Sequence, residues 1–467
     1  MDWELMTQAE TINVDVAIIG AGTAGMTAYR AAKRAGKRVV LIEDGPYGTM
    51  CARVGCMPSK LLIAAADHAH SARSSAPFGV HLNAPEIDGE AVMQRVRDER
   101  DRFVSFVVAD VQGFDAVDKI RGHARFASDT QLVVDNRWHI NTHASVIATG
   151  STPFIPPVLQ GLGDRLVVND DVFDWQQLPK RILVVGAGVI GLELGQALAR
   201  LGVETTIINR SQHLAGIQDP AVLESAREAF SKELDIRFNT EVEEAKQIGN
   251  EVHVRLSNQE ELLVVDYLLA AVGRHPVLSD LGLEHTSVQW KSQHEPQIEP
   301  TTLQLAPAPI FIAGDVTGNK PLLHEAADEG RLAGQNASEY PQIRPGLQRS
   351  PISIVFSDPQ IASVGAAYNA LNLDEVVIGE VSFENQGRSR IMLKNQGKLR
   401  VYAQRDGGLF LGAEMAGPNM EHIAHLLAWA HQQKLTISEM LTMPFYHPVI
   451  EEGLRTALRQ AQRQLAT

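Results

Sequence analysis

The feature that most restricts how this chain can fold occurs twice. Residues 14–43, VDVAIIGAGTAGMTAYRAAKRAGKRVVLIE, open with a short β-branched apolar run at Val14, Val16, Ile18 and Ile19. Such a run reads as a buried strand of a parallel sheet. Gly20, Gly22 and Gly25 follow at once, then an alanine-rich stretch without proline that reads as a helix. A second strand from Val39 to Ile42 ends at Glu43. The same succession returns at residues 181–209: RILVVG, the glycines Gly186, Gly188 and Gly191, a helix through Leu201, and ETTIIN. Two strand–helix–strand units predict an α/β chain with two nucleotide-binding domains.

The glycine spacing carries a physical requirement. In GAGTAG, Gly20 permits a tight turn, Gly22 lets a pyrophosphate approach the backbone, and Gly25 lets helix and strand pack closely. The helix amino terminus then offers free N–H groups and a positive dipole end to the phosphates. Glu43 closes the second strand, where an acid can bind ribose hydroxyls. GAGVIG at 186–191 has the same context, but its second strand ends at Asn209 and Arg210. An acid there favours the free 2′-OH of NAD, whereas a cation accepts the 2′-phosphate of NADP. Arg210 reads equally well as that phosphate ligand or as a solvated surface charge.

The only cysteines, Cys51 and Cys56, are separated by four residues in GTMCARVGCMPSK. Two cysteines exclude a disulfide scaffold and a four-thiolate metal site. With no His or carboxylate nearby to complete a zinc site, no metal is expected, and the pair reads as redox-active or as two inert thiols. A disulfide between them would close a small loop, readily reduced and re-formed. Thiol chemistry needs a base. Among sixteen histidines, His68, His70, His422 and His425 lie in helical patterns. In FYHPVIEE, Pro448 follows His447 and Glu452 stands five residues on, a bend into a helix that can hold a carboxylate against one ring nitrogen. His447 is either a proton carrier of this kind or a satisfied structural histidine.

Elsewhere the pattern is coarser. Residues 60–115 read as mostly helical and 120–148 as strands leading into SVIATG. DYLLAAVGRHP reads as a strand ending at Gly273, and PIFIAGDV as one ending at Asp315. PQIRPGLQRSP, residues 341–351, is a linker into an α+β region with strands ISIVFSD, LRVYAQ and LFLGAEM and helices MEHIAHLLAWAHQQ and EEGLRTALRQAQRQL. The domains expected are 1–152, first part of an FAD-binding domain; 153–275, NAD(P)-binding; 276–345, second FAD part; and 346–467, dimerisation.

Charge supports this reading by exclusion. The net charge, 42 − 56 = −14, argues against a duplex nucleic-acid binder. No apolar run approaches the length of a membrane span, and the amino terminus MDWELMTQAET carries acids where a signal peptide needs positive charge. A cytoplasmic protein is expected.

Taken in order, GAGTAG with Glu43, CxxxxC with PSK, RGHARF, IATG, GAGVIGLE, AVGRHP, FIAGD and HPxxxE resemble the class I pyridine nucleotide–disulfide oxidoreductases over essentially the whole length. That family includes dihydrolipoamide dehydrogenase, glutathione reductase and mercuric reductase. The resemblance implies two Rossmann-like FAD- and NAD(P)-binding domains with a carboxy-terminal α+β dimerisation domain, and a homodimer. It implies that Gly20, Gly22, Gly25, Glu43, Ala124 and Gly150 bind FAD, with Asp315 on the ribityl chain or phosphate and Leu322 to His324, Leu323 included, near the isoalloxazine. Lys60 would sit by the flavin, paired with Glu193. Gly186, Gly188, Gly191, Asn209, Arg210 and Gly273 would hold NAD or NADP. Cys56 would face the flavin, Cys51 would exchange with substrate, and His447, held by Glu452, would be the acid–base.

The sequence departs from the family at Met50, where threonine is usual with Thr49 one earlier; at Asn209, where NAD enzymes carry an acid; and at the end RQLAT, which lacks the vicinal cysteines of mercuric reductase. Its cysteine pair is complete, unlike that of the soluble transhydrogenases. Dihydrolipoamide dehydrogenase is the leading expectation, with lipoamide as substrate and a 2-oxoacid dehydrogenase complex as a partner. A glutathione-reductase-like NADPH enzyme follows, then a flavin-binding redox sensor without turnover.

Overall fold

Alternating apolar positions decide which face of each strand meets which layer. In the computed structural model, which describes residues 10–257, 259–260, 262–292 and 295–466, the chain divides into two compact units. The first takes the residues up to Pro58, Val96–Phe154 and Gly273–Gln348. Among the described residues, its main sheet has seven strands: Lys119–Arg121, Val39–Glu43, Glu10–Ile19, Trp138–Ile147, Gln131–Val134 and Ala124–Ser128 side by side, with Ile310–Ile312 also paired to Trp138–Ile147. Val16, Ile18, Val39 and Leu41 are buried on one face against alanines of the helices Thr23–Arg34 and Leu323–Glu339. Ala17, Ile19, Val40 and Ile42 are buried on the other, with Leu132, Ile147 and Ile310. The two helices approach closely because small residues meet: a Cβ on Gly330 would lie 2.2 Å from the Ala24 carbonyl oxygen. Ile310–Ile312 lies more than 160 residues from its partner strand and returns to complete this sheet.

The second unit takes Ser59–Arg95, Ile155–Val272 and the residues from Arg349 onward. Among its described residues, a parallel sheet runs in the order Asp235–Phe238, Glu204–Asn209, Arg181–Val185, Tyr267–Ala270, Leu166–Val167. A separate antiparallel sheet runs Ile352–Val355, Gln360–Gly365, Phe410–Gly417, Lys398–Gln404, Val376–Ser382. The latter buries Leu399, Val401, Ala413 and Met415 with Ile423 and Leu427 of the helix Met420–Gln432 and Leu454 and Leu458 of the helix Glu452–Leu465.

Two local expectations are corrected. The strand in PIFIAGDV stops at Ile312, and Asp315 opens a short 3₁₀ turn after Gly314 at φ 84°. The strand in DYLLAAVGRHP stops at Ala270; Gly273 belongs to the first unit, and Arg274–Pro276 starts a new strand paired with Ser151–Pro153. As expected, the 60–115 region is mostly helical, in two helices, Cys56–Arg73 and Gly89–Gln112, parted by residues 74–88, which make one 3₁₀ turn at Ala76–Phe78. Most of the acidic amino-terminal stretch, residues 1–9, and Thr467 of the RQLAT end lie outside the described residues.

Candidate active site

The two glycine loops are built alike. Gly20 has φ +103° and Gly186 φ +111°, the left-handed side of the map, and a Cβ on either would lie within 2.4 Å of a carbonyl oxygen of the neighbouring strand end. A Cβ on Gly25 or Gly191 would meet the carbonyl of Gly20 or Gly186 at 1.8 and 1.9 Å. Gly22 and Gly188 differ: a Cβ there meets nothing within 4 Å. Both cap their helices with the same φ −75° and ψ −171°, with no side chain accepting the first N–H groups and no acid in the first turn. An open cradle before unpaired helix donors fits a dinucleotide pyrophosphate.

The strand ends diverge. Glu43 accepts N–H groups from Ala21 at 2.7 Å and Gly45 at 2.8 Å, and burial pushes its carboxyl above the ordinary value. Each oxygen keeps a further lone pair for a hydroxyl. Asn209 faces the equivalent Ala187 N–H at 3.4 Å, and its amide donates to Ser211 and to the His213 carbonyl. Arg210 is exposed, and among the described residues no carboxylate pairs with it.

Asp315 accepts from the Ser151 hydroxyl at 3.1 Å. Arg274 in turn donates to Ser151, through Oγ and the carbonyl at 3.0 Å each, and to the Met50 thioether at 2.8 Å. Met50 therefore makes a sulfur contact where the family usually offers a hydroxyl. Ala124 is buried at the start of its strand, and the Gly150 carbonyl receives the Val277 N–H. Leu323 and His324 are exposed at the start of their helix. Behind them Glu329 accepts the Gly314 N–H at 2.7 Å, and burial, the largest influence, pushes its carboxyl up to about 7.

Cys51 lies half-buried in the short helix Met50–Val54, and Cys56 is exposed at the start of Cys56–Arg73. Thr49 caps the short helix, its hydroxyl accepting from Ala52 N–H at 3.3 Å. Gly55 separates the helices; a Cβ there would press on Met50 and Cys51 backbone at 3.2 Å.

In the second unit, Lys60 Nζ lies 2.7 Å from Glu193 Oε2 and 4.7 Å from the Phe356 ring centre. Glu193 is buried, and its other oxygen accepts the Phe356 N–H at 2.8 Å. His447 Nδ1 is 3.0 Å from both carboxylate oxygens of Glu452, whose pKa the imidazole contact lowers. The imidazole is 81% exposed. Its Nδ1 is thus held while Nε2 faces outward, the arrangement of an oriented proton carrier. Sequence reasoning missed Ser151, Arg274, Glu329 and the Phe356 contact, each of which acts through a partner remote in the chain.

Residues 14–330 match the sequence profile of the pyridine nucleotide-disulphide oxidoreductases. The chain belongs to that family. Its cofactors are FAD and NAD(P), and the chain is a flavoprotein disulfide oxidoreductase by class. Residues 352–458 match the family's dimerisation domain, which supports a homodimer. The chain is 30% identical over 475 residues to the dihydrolipoyl dehydrogenase of Thermus scotoductus, covering 96% of this chain and 98% of the relative. It is also 30% identical over 466 residues to the mercuric reductase of Shigella flexneri, covering 95% and 80%. In fold it is similar to the HOCl-induced flavoprotein disulfide reductase RclA of Escherichia coli, with TM-score 0.81 at 22% identity over 95% of this chain and 99% of that one. Among the described residues no helix is long and apolar enough to cross a membrane.

Proposed function

We propose that this flavoprotein oxidises a small dithiol of the dihydrolipoamide type through a Cys51–Cys56 disulfide. The observation that carries the reading is the His447–Glu452 pair, in a chain whose only cysteines are a closely spaced pair. In this reading Gly20, Gly22, Gly25, Glu43, Ala124, Gly150, Asp315, Leu323 and His324 hold FAD. Gly186, Gly188, Gly191, Asn209, Arg210 and Gly273 hold the nicotinamide nucleotide. When bound, FAD supplies two-electron transfer between the thiol pair and NAD(P).

The residues divide the remaining work. One substrate thiolate attacks Cys51 Sγ, the Cys51–Cys56 bond breaks, and Cys56 leaves as thiolate. His447 Nε2 takes the proton of the second substrate thiol, whose sulfur attacks the mixed disulfide, releasing oxidised substrate and the Cys51 thiolate. Glu452 steadies the imidazolium so formed, as a carboxylate does in other oriented imidazole pairs. Lys60, held by Glu193, places a cation on the helix that Cys56 begins. The near-complete overlap with a dihydrolipoyl dehydrogenase supports lipoamide.

Asn209 and exposed Arg210 favour a second reading, a disulfide reductase driven by NADPH. Steady-state assays pairing dihydrolipoamide with NAD⁺ or NADP⁺, and oxidised glutathione or Hg(II) with NADPH, separate them. Lipoamide turnover should dominate and vanish in Cys56→Ser while FAD is retained. Substantial lipoamide activity in that variant, or faster turnover of glutathione or Hg(II), would overturn the lipoamide reading. A non-turnover sensor would show no thiolate–flavin charge-transfer band on two-electron titration.

A further inference from the structure

The loop that leaves the second strand end, residues 210–219, is fastened at both ends. At its start, the Asn209 amide closes on Ser211 and His213, and the Ala215 N–H donates to the carbonyl of Ala187, within the GAGVIG turn, at 2.8 Å. Ala215 (φ 49°) and Gly216 (φ 83°) are both left-handed, and Leu214 and Ile217 are buried. An alanine holds that conformation only where its surroundings impose it.

The other end of the loop, at Gln218 and Asp219, is held by the antiparallel sheet of the carboxy-terminal region. Glu414, 2% exposed, accepts the N–H groups of Gln218 at 2.7 Å and Asp219 at 2.9 Å with one oxygen, and that of Tyr368 at 2.9 Å with the other. Asp219 is fully buried. It accepts from Arg400 at 2.8 Å on each oxygen and from the Tyr402 hydroxyl at 2.8 Å, while capping the helix Pro220–Phe230 through Ala221 and Val222. Arg400 and Glu414 are direct cross-strand partners, and Arg400 and Tyr402 alternate with Val401, which is buried in the core on the opposite face. One face of the sheet is thus committed to a loop whose far end sets the Ala187 turn and displays Arg210.

We infer that Glu414, Arg400 and Tyr402 are positioning residues for the pyridine nucleotide: the dimerisation domain holds the 210–219 loop in the shape that receives the adenosine end of NAD(P). The inference rests on the reading of GAGVIG as the nicotinamide-nucleotide site, and the experiment separates the two. Dissociation constants are measured on the FAD-loaded protein for NADP⁺ and NAD⁺, for the adenosine-end probes adenosine 2′,5′-bisphosphate and ADP-ribose, and for nicotinamide mononucleotide.

Removing a charged acceptor from two backbone donors should weaken the bound dinucleotide and its adenosine-end fragment about 10-fold to 100-fold in Glu414→Gln. Nicotinamide mononucleotide binding should change less than about twofold, and hydrogen exchange should rise over residues 210–219. Val401→Ala, a core truncation on the same strand, should destabilise the sheet and leave these constants unchanged. Equal weakening by both variants, or an unchanged constant in Glu414→Gln, overturns the inference. If Glu414→Gln fails to fold, Tyr402→Phe carries the test: a several-fold rise for the adenosine-end probe is expected, and no rise overturns the inference. Wild-type protein that binds neither dinucleotide would instead overturn the nucleotide-site reading.

Discussion

Glu329 makes the structure's stability depend on pH in a direction opposite to that of most carboxylates. Its carboxyl accepts the Gly314 N–H beside Asp315, yet burial and the neighbouring acids Glu325 and Asp315 outweigh that bond and Lys320, lifting it from 4.5 to about 7. At roughly 1.4 kcal/mol per tenfold change in proton affinity, holding this group charged costs the native state up to about 3 kcal/mol. The native-state pKa is raised, so between about pH 4.5 and 7 the folded protein binds the proton that the unfolded chain releases. Stability therefore falls as pH rises through that window, and the whole cost is present above it. Glu329→Gln keeps an oxygen for Gly314 and removes the charge. Measured by urea unfolding of the FAD-loaded protein, the variant should match wild type near pH 5. It should be more stable by about 1–3 kcal/mol near pH 8.5. A gain of equal size at both pH values, or a loss at the higher one, would refute the assignment.

The other expectations concern the proposed chemistry. Arg210→Ala should lower preference for NADP(H) by about tenfold to a hundredfold with little effect on NAD(H), one charge–phosphate contact being worth roughly 1.5–3 kcal/mol; strong NADH selectivity unaffected by the change would show the strand end to be misread. Glu452→Gln frees the imidazole from its carboxylate and should reduce kcat about 10²-fold to 10⁴-fold with FAD content unchanged, so near-normal kcat would leave the pair a structural contact. Cys51→Ser and His447→Gln chains, each inactive alone, should recover activity when co-expressed, because one site of the mixed dimer carries neither lesion. An inactive, verified heterodimer would place histidine and cysteines in one subunit's site.

Local chemistry made the two strand–glycine–helix units, the cysteine pair and the His447 bend legible in the chain. Each depends on residues close in sequence: a turn needing left-handed φ, a strand buried on both faces, a carboxylate five residues from an imidazole. Where side chains serve partners far away, short-range pattern carries no signal. Asp219–Pro220 announces a helix start, but nothing near it tells of Arg400 or Tyr402. Glu414, an acid inside the apolar strand LFLGAEM, is the one visible hint that a buried charge must be matched.

The glycine-loop turns, the closely spaced cysteine pair and the bend that holds His447 against Glu452 were thus legible in the sequence itself, because turn geometry and strand burial are set within a few residues. Tertiary structure alone decided that Ile310–Ile312 completes the first sheet, that Glu193 answers both Lys60 and Phe356, and that the carboxy-terminal sheet grips the 210–219 loop. Those pairings join residues from 133 to 196 positions apart. Only the packing of whole layers brings such partners within hydrogen-bond reach, and once buried, each polar group must find one.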